Sequence, residues 1–217
     1  MKIISKYFSN EFKIYIVHII PNKFRHFFHS FYSYIKWYKL TKKNCIKLEL
    51  GSGPVKGRNG FTTVDLLGAD INWNLKRGIP LKDKTVDFIY SSHFLEHIPY
   101  KKLIIFLKEC KRVLKEDGIF SVCVPNAGAV LDAYFNSETV EWHNGWEPAK
   151  VETNSKIDQL NYLAYLDGDH QYLFDEENLV NTFCVAGFSN VKIRKFDPKL
   201  DLKGRETQSI YAEARKI

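Results

Sequence analysis

The feature that most constrains this chain is a short apolar run that closes on an acid and then turns on two glycines, CIKLELGSGP at residues 45–54. A run of that length bounded by turn residues reads as a buried strand ending in a tight loop. The same rhythm continues downstream. FTTVDLL (61–67) and TVDFIYSS (85–92) are β-branched and apolar, as strands buried on both faces of a parallel sheet are. Between Tyr100 and Leu114, the residues Leu103, Phe106, Leu107, Cys110, Val113 and Leu114 form one apolar face, with lysines and Arg112 opposite, which predicts an amphipathic helix. That helix is expected to stop at EDG (116–118), with Gly118 in the left-handed region, ahead of the strand GIFSVCVP. Asp175 is expected to cap a helix over 176–186 that stops at Gly187. NVKIRKF and QSIYAEARK then read as closing strands that pair antiparallel at one sheet edge. The pattern is that of an alternating α/β domain.

With 217 residues the chain suits one domain with an appendage, and the division is visible in the charge. Residues 1–43 hold nine Lys/Arg against one Glu, so a total of +7 leaves a net of −1 for residues 44–217. The expected organisation is a basic, aromatic helical extension (1–43) and a nearly neutral domain (44–217). The longest apolar run of the extension, 14–20, ends at Pro21, well short of the roughly 20 residues a membrane span needs. No small-residue cleavage site follows it, so a cytoplasmic location is the expectation. From Phe24 onward, Phe24, Phe27, Phe28, Phe31, Ile35 and Tyr38 recur at helical spacing among basic residues. Such a helix can pack on the domain or on a second copy in a homodimer, or lie peripherally on an anionic membrane at its inner face. Nucleic acid is the least favoured partner, because the domain itself carries no basic excess. Four scattered cysteines, Cys45, Cys110, Cys123 and Cys184, form no C-x-x-C pair and argue against a zinc site or disulfide scaffold. No metal is expected.

In ELGSG, Glu49 closes a strand, and Gly51 and Gly53 let the backbone approach a ligand without Cβ interference. A dinucleotide site would place a third glycine three residues on, where Lys56 stands. Glu49 would repel a phosphate but suits an adenosine ligand that carries positive charge. Asp65, ending the next strand, can accept two hydrogen bonds from a ribose diol. Residues 126–170 interrupt the rhythm with Trp142, Trp146, Tyr162 and Tyr165, a connection long enough to be a substrate-side insertion.

These residues resemble the class I S-adenosylmethionine-dependent methyltransferases, and among them the small type 11 enzymes often found beside polysaccharide biosynthesis genes. The resemblance spans about residues 47–195 and rests on LELGSGP, VDL, PLKDKTVDFIYSSHFLEHI, RVLKEDGIF and HQYLFDEENL followed by AGF. It implies a Rossmann-like sheet with an antiparallel closing hairpin, and S-adenosyl-L-methionine as cofactor. It further implies that Glu49, Gly51 and Gly53 bracket the methionine part, that Asp65 holds the ribose, that Asn74 and Leu75 lie at the adenine, and that Ser91 to His93 floor the methyl-donor site. Two departures stand out. Only residues 54–60 separate the glycine loop from the second strand, so the first helix must be very short. Asn74 stands where many relatives have Asp, and Asp70 or Asn72 are alternatives for the adenine amine.

Methyl transfer from a sulfonium is an in-line displacement that must also remove a proton from the acceptor. His93 is the first candidate base, since an imidazole's ordinary pKa suits proton acceptance at neutral pH, and His170 is the second, since it ends the insertion and the resemblance implies a histidine at that place. Glu96 and His97 sit where a helix is expected to begin, as a cap or as an acceptor contact. Trp142 and Trp146 are candidates to stack on a sugar. The expected function is methyl transfer to a hydroxyl or amine of a small or glycan-type acceptor, such as a nucleotide- or lipid-linked sugar. The alternative is a degenerate cofactor-binding scaffold recruited by its N-terminal helix.

Overall fold

In the computed structural model, the described residues are 32–57, 59–136, 138, 153 and 155–217. Seven strands form one sheet: β1 (Lys47–Leu50), β2 (Thr62–Asp65), β3 (Ile71–Asn72), β4 (Val86–Ser92), β5 (Leu114–Pro125), β6 (Ser189–Arg194) and β7 (Ser209–Arg215). Their spatial order is β3-β2-β1-β4-β5-β7-β6. The first five are parallel, while β7 runs antiparallel between β5 and β6. The expected closing hairpin is therefore present. The strand order reverses direction between β1 and β4, and in an open sheet a crevice opens at the carboxyl ends beside such a point. The glycine loop after β1 and the turn after β4 both emerge there.

The long amphipathic pattern forms α2 (Tyr100–Val113), which buries Leu103, Leu107, Cys110 and Val113. Its end differs from expectation. The helix stops at Val113, β5 begins at the next residue, and the residue with positive φ is Asp117 (59°), not Gly118. Gly118 is needed for space instead, since a Cβ there would stand 2.7 Å from the Lys115 carbonyl. By contrast α5 (Glu176–Val185) follows its local signals: Asp175 accepts from the Asn178 amide at 2.7 Å, and Gly187 adopts φ 91° beyond the end. Within the expected insertion lie α3 (Ala127–Phe135), capped by the Asn126 side chain, and α4 (Ile157–Tyr165). Trp142 and Trp146 lie outside the described residues.

Residues 32–40 of the basic extension are helical (α1), and they are part of the folded core. Trp37 and Leu40 belong to the same buried cluster as Leu48, Ile89 and Leu107. Trp37 meets Trp73 edge to face at 6.2 Å, and the Ser33 hydroxyl donates to the Asn72 carbonyl at 2.7 Å. The core thus reaches back across the division placed at residues 43/44. The buried face is also not the expected one: Ile35 and Tyr38 are exposed, whereas Ser33, Trp37 and Leu40, at spacings of four and three, are buried. The earlier part of the aromatic stripe, Phe24 to Phe31, lies outside the described residues. Between β1 and β2 no helical turn occurs among the described residues, a stronger departure than the short helix expected. Among the described residues no helix is long and apolar enough to cross a membrane.

Candidate active site

At the end of β1, Glu49 is buried and lies in register with Thr63 of β2 and Tyr90 of β4. The two glycines that follow do different work. Gly51 (φ 72°) has no room for a side chain, because a Cβ would stand 2.0 Å from the Phe94 ring. Gly53 (φ 64°) faces open space, with nothing within 4 Å of where its Cβ would be. Close approach of a ligand is therefore possible at Gly53, whereas Gly51 exists to admit Phe94. The loop is tied down by Asp65, whose Oδ2 accepts from the Gly53 amide at 2.8 Å and whose Oδ1 accepts from the Leu66 amide at 2.5 Å. A carboxylate offers about four lone-pair sites, so Asp65 retains capacity for a diol.

The adenine-side candidates separate by what their side chains already bond. Asn74 is exposed and spends its Oδ1 on the Lys76 amide, capping the 3-10 turn Leu75–Arg77. Leu75 packs against the core. Asp70 accepts from the Gly57 amide, the Thr63 amide and the Thr63 hydroxyl. Asn72 differs, because its Oδ1 is buried without a hydrogen-bond partner, and it stands in register beside Asp65. An adenine amine would supply the missing donor. Ser91 is fully buried and donates to the Leu50 carbonyl at 3.0 Å, so it fastens β4 to β1 under the site.

Beyond β4 the chain brings three histidines and a glutamate into one open cleft of about 210 Å³, lined also by Pro125, Tyr162, Leu166, Arg205 and Ser209. His93 follows β4 at φ 50°, a conformation in which His is among the more tolerated residues. Its Nε2 lies 2.9 Å from the Ser209 hydroxyl. Glu96 is in the 3-10 turn Leu95–His97, not at a helix cap, since α2 starts only after Pro99. Its backbone carbonyl accepts from the Gln171 and Tyr172 amides, which draws residues 169–172 alongside. His97 Nδ1 bonds the Asp169 carbonyl at 3.1 Å, and His170 Nδ1 bonds the Leu163 carbonyl at 2.5 Å. The two rings meet edge to face at 4.9 Å. His93, His97 and His170 thus converge as a group.

Burial first of all drives the His93 pKa well below its ordinary value, with nearby positive groups adding to the effect. Burial also pushes the Glu96 carboxyl up to about 8, and it lowers His170. Glu96 Oε1 stands 3.8 Å from His93 Nδ1 and 3.9 Å from His97 Nε2, too far for a hydrogen bond. Both carboxyl oxygens are buried without a hydrogen-bond partner. Leaving such a group unmet costs about 1–3 kcal/mol.

One supporting network had no signal in the sequence. Asp201 lies 111 positions from Tyr90, yet its carboxylate receives the Tyr90 hydroxyl at 3.1 Å, the Arg194 guanidinium at 2.6 and 2.7 Å, and the Asp197 amide at 2.7 Å. Arg194 also reaches the Ser121 hydroxyl at 3.0 Å. This pair anchors the β6–β7 connection, in which Gly204, Arg205, Thr207 and Gln208 form one wall of the cleft.

The sheet order, the glycine turn at the switch point and the antiparallel closing strands define the Rossmann-like fold of the class I methyltransferases. A family model described as a methyltransferase domain matches residues 36–122. Among solved structures, an S-adenosylmethionine-dependent methyltransferase from Thermotoga maritima is 16% identical, with 90% of this chain and 95% of that chain covered and a TM-score of 0.50. One from Archaeoglobus fulgidus is 16% identical, covering 87% and 94%, with a TM-score of 0.49. PigF with SAH is 14% identical, and the match takes in 80% of this chain but only 56% of that one, with a TM-score of 0.48. No curated protein sequence matches the chain. The domain match and the fold together indicate S-adenosylmethionine as the cofactor.

Proposed function

We propose that the protein transfers a methyl group from S-adenosylmethionine to a hydroxyl or amine of a small or glycan-type acceptor, such as a nucleotide- or lipid-linked sugar. The observation that carries this reading is the pairing, on one edge of the sheet, of an open glycine loop held by Asp65 with a histidine-lined cleft beyond β4. Gly53 and Asp65 hold the methionine and ribose parts, and Asn72 rather than Asn74 takes the adenine amine. In the transfer, the acceptor atom forms its bond to the methyl carbon as the carbon–sulfur bond breaks, and the electron pair stays on sulfur. The acceptor's proton passes to His93, which lines the cleft directly beyond β4 with its Nε2 held beside the Ser209 hydroxyl.

Calorimetric titration with S-adenosylhomocysteine, with NAD as control, tests the cofactor assignment. Asp65→Ala is expected to abolish binding. His93→Ala is expected to bind the cofactor product as wild type does and to lose turnover by about 10²–10⁴-fold in an acceptor screen that begins with nucleotide sugars. Wild-type binding and turnover in both variants would overturn the site assignment. A scaffold that binds cofactor without turnover is the second reading, favoured by the lack of a helical turn between β1 and β2 among the described residues. Turnover on any acceptor removes it.

A further inference from the structure

We infer that Glu96, His97 and His170 form a binding site for one divalent transition-metal ion, in the cleft beside His93. One ligand atom from each residue lies within 4.8 Å of the others. An ion bound tetrahedrally at about 2.0–2.2 Å from each sets them about 3.4 Å apart, so contraction by up to about 1.4 Å closes the site.

Three independent features point the same way. The first is Glu96, which is 2% exposed and has no hydrogen-bond partner on either oxygen. A carboxyl buried without a hydrogen bond from any other residue, with two imidazole nitrogens just beyond bonding distance, needs an explanation, and a cation supplies one. The second is the orientation of the imidazoles. His97 Nδ1 faces the Asp169 carbonyl and His170 Nδ1 faces the Leu163 carbonyl, so each ring carries its proton on Nδ1 and keeps a lone pair on Nε2. Backbone acceptors on the far nitrogen are what fixes the ring and tautomer of a metal-binding histidine. The third is the stitching of the two segments. The Glu96 carbonyl holds the amides of Gln171 and Tyr172, so the ligands sit on paired backbone and not on separate mobile side chains.

One carboxylate and two imidazoles suit zinc, manganese, iron or cobalt in the divalent state, and suit magnesium or calcium less. Three protein ligands leave coordination positions open toward the cleft. The site stands whether or not the protein transfers methyl groups; its use rests on that reading. There, the ion would hold an acceptor hydroxyl and lower its pKa, and His93, whose Nε2 is engaged by Ser209, would remain the proton acceptor. His170 is then a ligand instead of a second base.

The test is titration of chelator-treated full-length protein with Zn²⁺, Mn²⁺ and Co²⁺, read by calorimetry and by the visible absorption of Co²⁺. One equivalent is expected to bind, with Co²⁺ bands that report nitrogen ligands, and with affinity at least about 100-fold weaker in both Glu96→Gln and His170→Ala. Glu96→Gln leaves all seven histidines in place, so binding that survives it comes from elsewhere on the chain and overturns the site. Absence of binding to wild-type protein overturns it too. Far-UV circular dichroism confirms that each variant is folded, and titration with S-adenosylhomocysteine on the same samples separates the two proposals. Cofactor binding without metal sinks the metal site alone, and metal binding without cofactor sinks the methyl-transfer reading alone.

Discussion

Along the carboxyl edge of the sheet, the glycine-loop half and the histidine half treat their polar atoms in opposite ways. Around the loop, Asp65, Asp70, Asn74 and Ser91 all bond backbone or neighbouring hydroxyl groups, whereas Asn72 Oδ1 does not. In the cleft, Glu96 is buried and its oxygens bond no other residue, His97 Nε2 stands 3.9 Å away, and His170 lies beside them. The wall of that cleft is nevertheless anchored by a fully bonded pair, Asp201 and Arg194. The difference teaches where stability and chemistry reside: satisfied polar groups fasten the scaffold, and unsatisfied ones mark where something else must bind.

The largest effect on this contrast is expected at Asp201. Asp201→Ala leaves the Arg194 guanidinium largely buried and unpaired, and should cost about 3–5 kcal/mol in urea unfolding. A loss under about 1 kcal/mol would mean that the cleft wall is held by apolar packing instead. Next comes Gly51→Ala, which combines a left-handed backbone with a side chain driven into the Phe94 ring, for about 2–4 kcal/mol. Gly53→Ala shares the backbone penalty but meets no neighbour, so the gap between the two variants measures the Phe94 contact. The smallest effect has the opposite sign. In metal-free protein, Glu96→Leu should raise stability by about 1–3 kcal/mol, because it removes a buried carboxyl that makes no hydrogen bond. A destabilised Glu96→Leu protein would show that the carboxyl has a structural partner and would erase the contrast between the two halves.

Much of the fold was legible because its signals are local. The strand of TVDFIYSS, the α2 face from Leu103 to Val113, and the Asp175 cap with Gly187 beyond it each depend on residues within a few positions of one another. The end of α2 was misplaced because Gly118 answers to the Lys115 carbonyl, a steric demand made by the folded turn and not by glycine's usual place after a helix. The buried face of α1 was misassigned for a related reason. Aromatic spacing names a stripe, but the position of Trp73 and β3 decides which residues it meets, and those are Ser33, Trp37 and Leu40.

The sequence by itself determined the alternating α/β pattern, the glycine turn after an acid that closes a strand, and the histidines as the residues worth watching. Tertiary structure decided the rest: that Asn74 caps a turn while Asn72 keeps a free oxygen, that Phe94 fills the space over Gly51, and that Glu96 faces His97 and His170. The physical reason is range. Backbone conformation and hydrophobic period are set by near neighbours, whereas the satisfaction of a buried polar atom depends on chain segments that folding brings together, here residues 96–97 and 169–172.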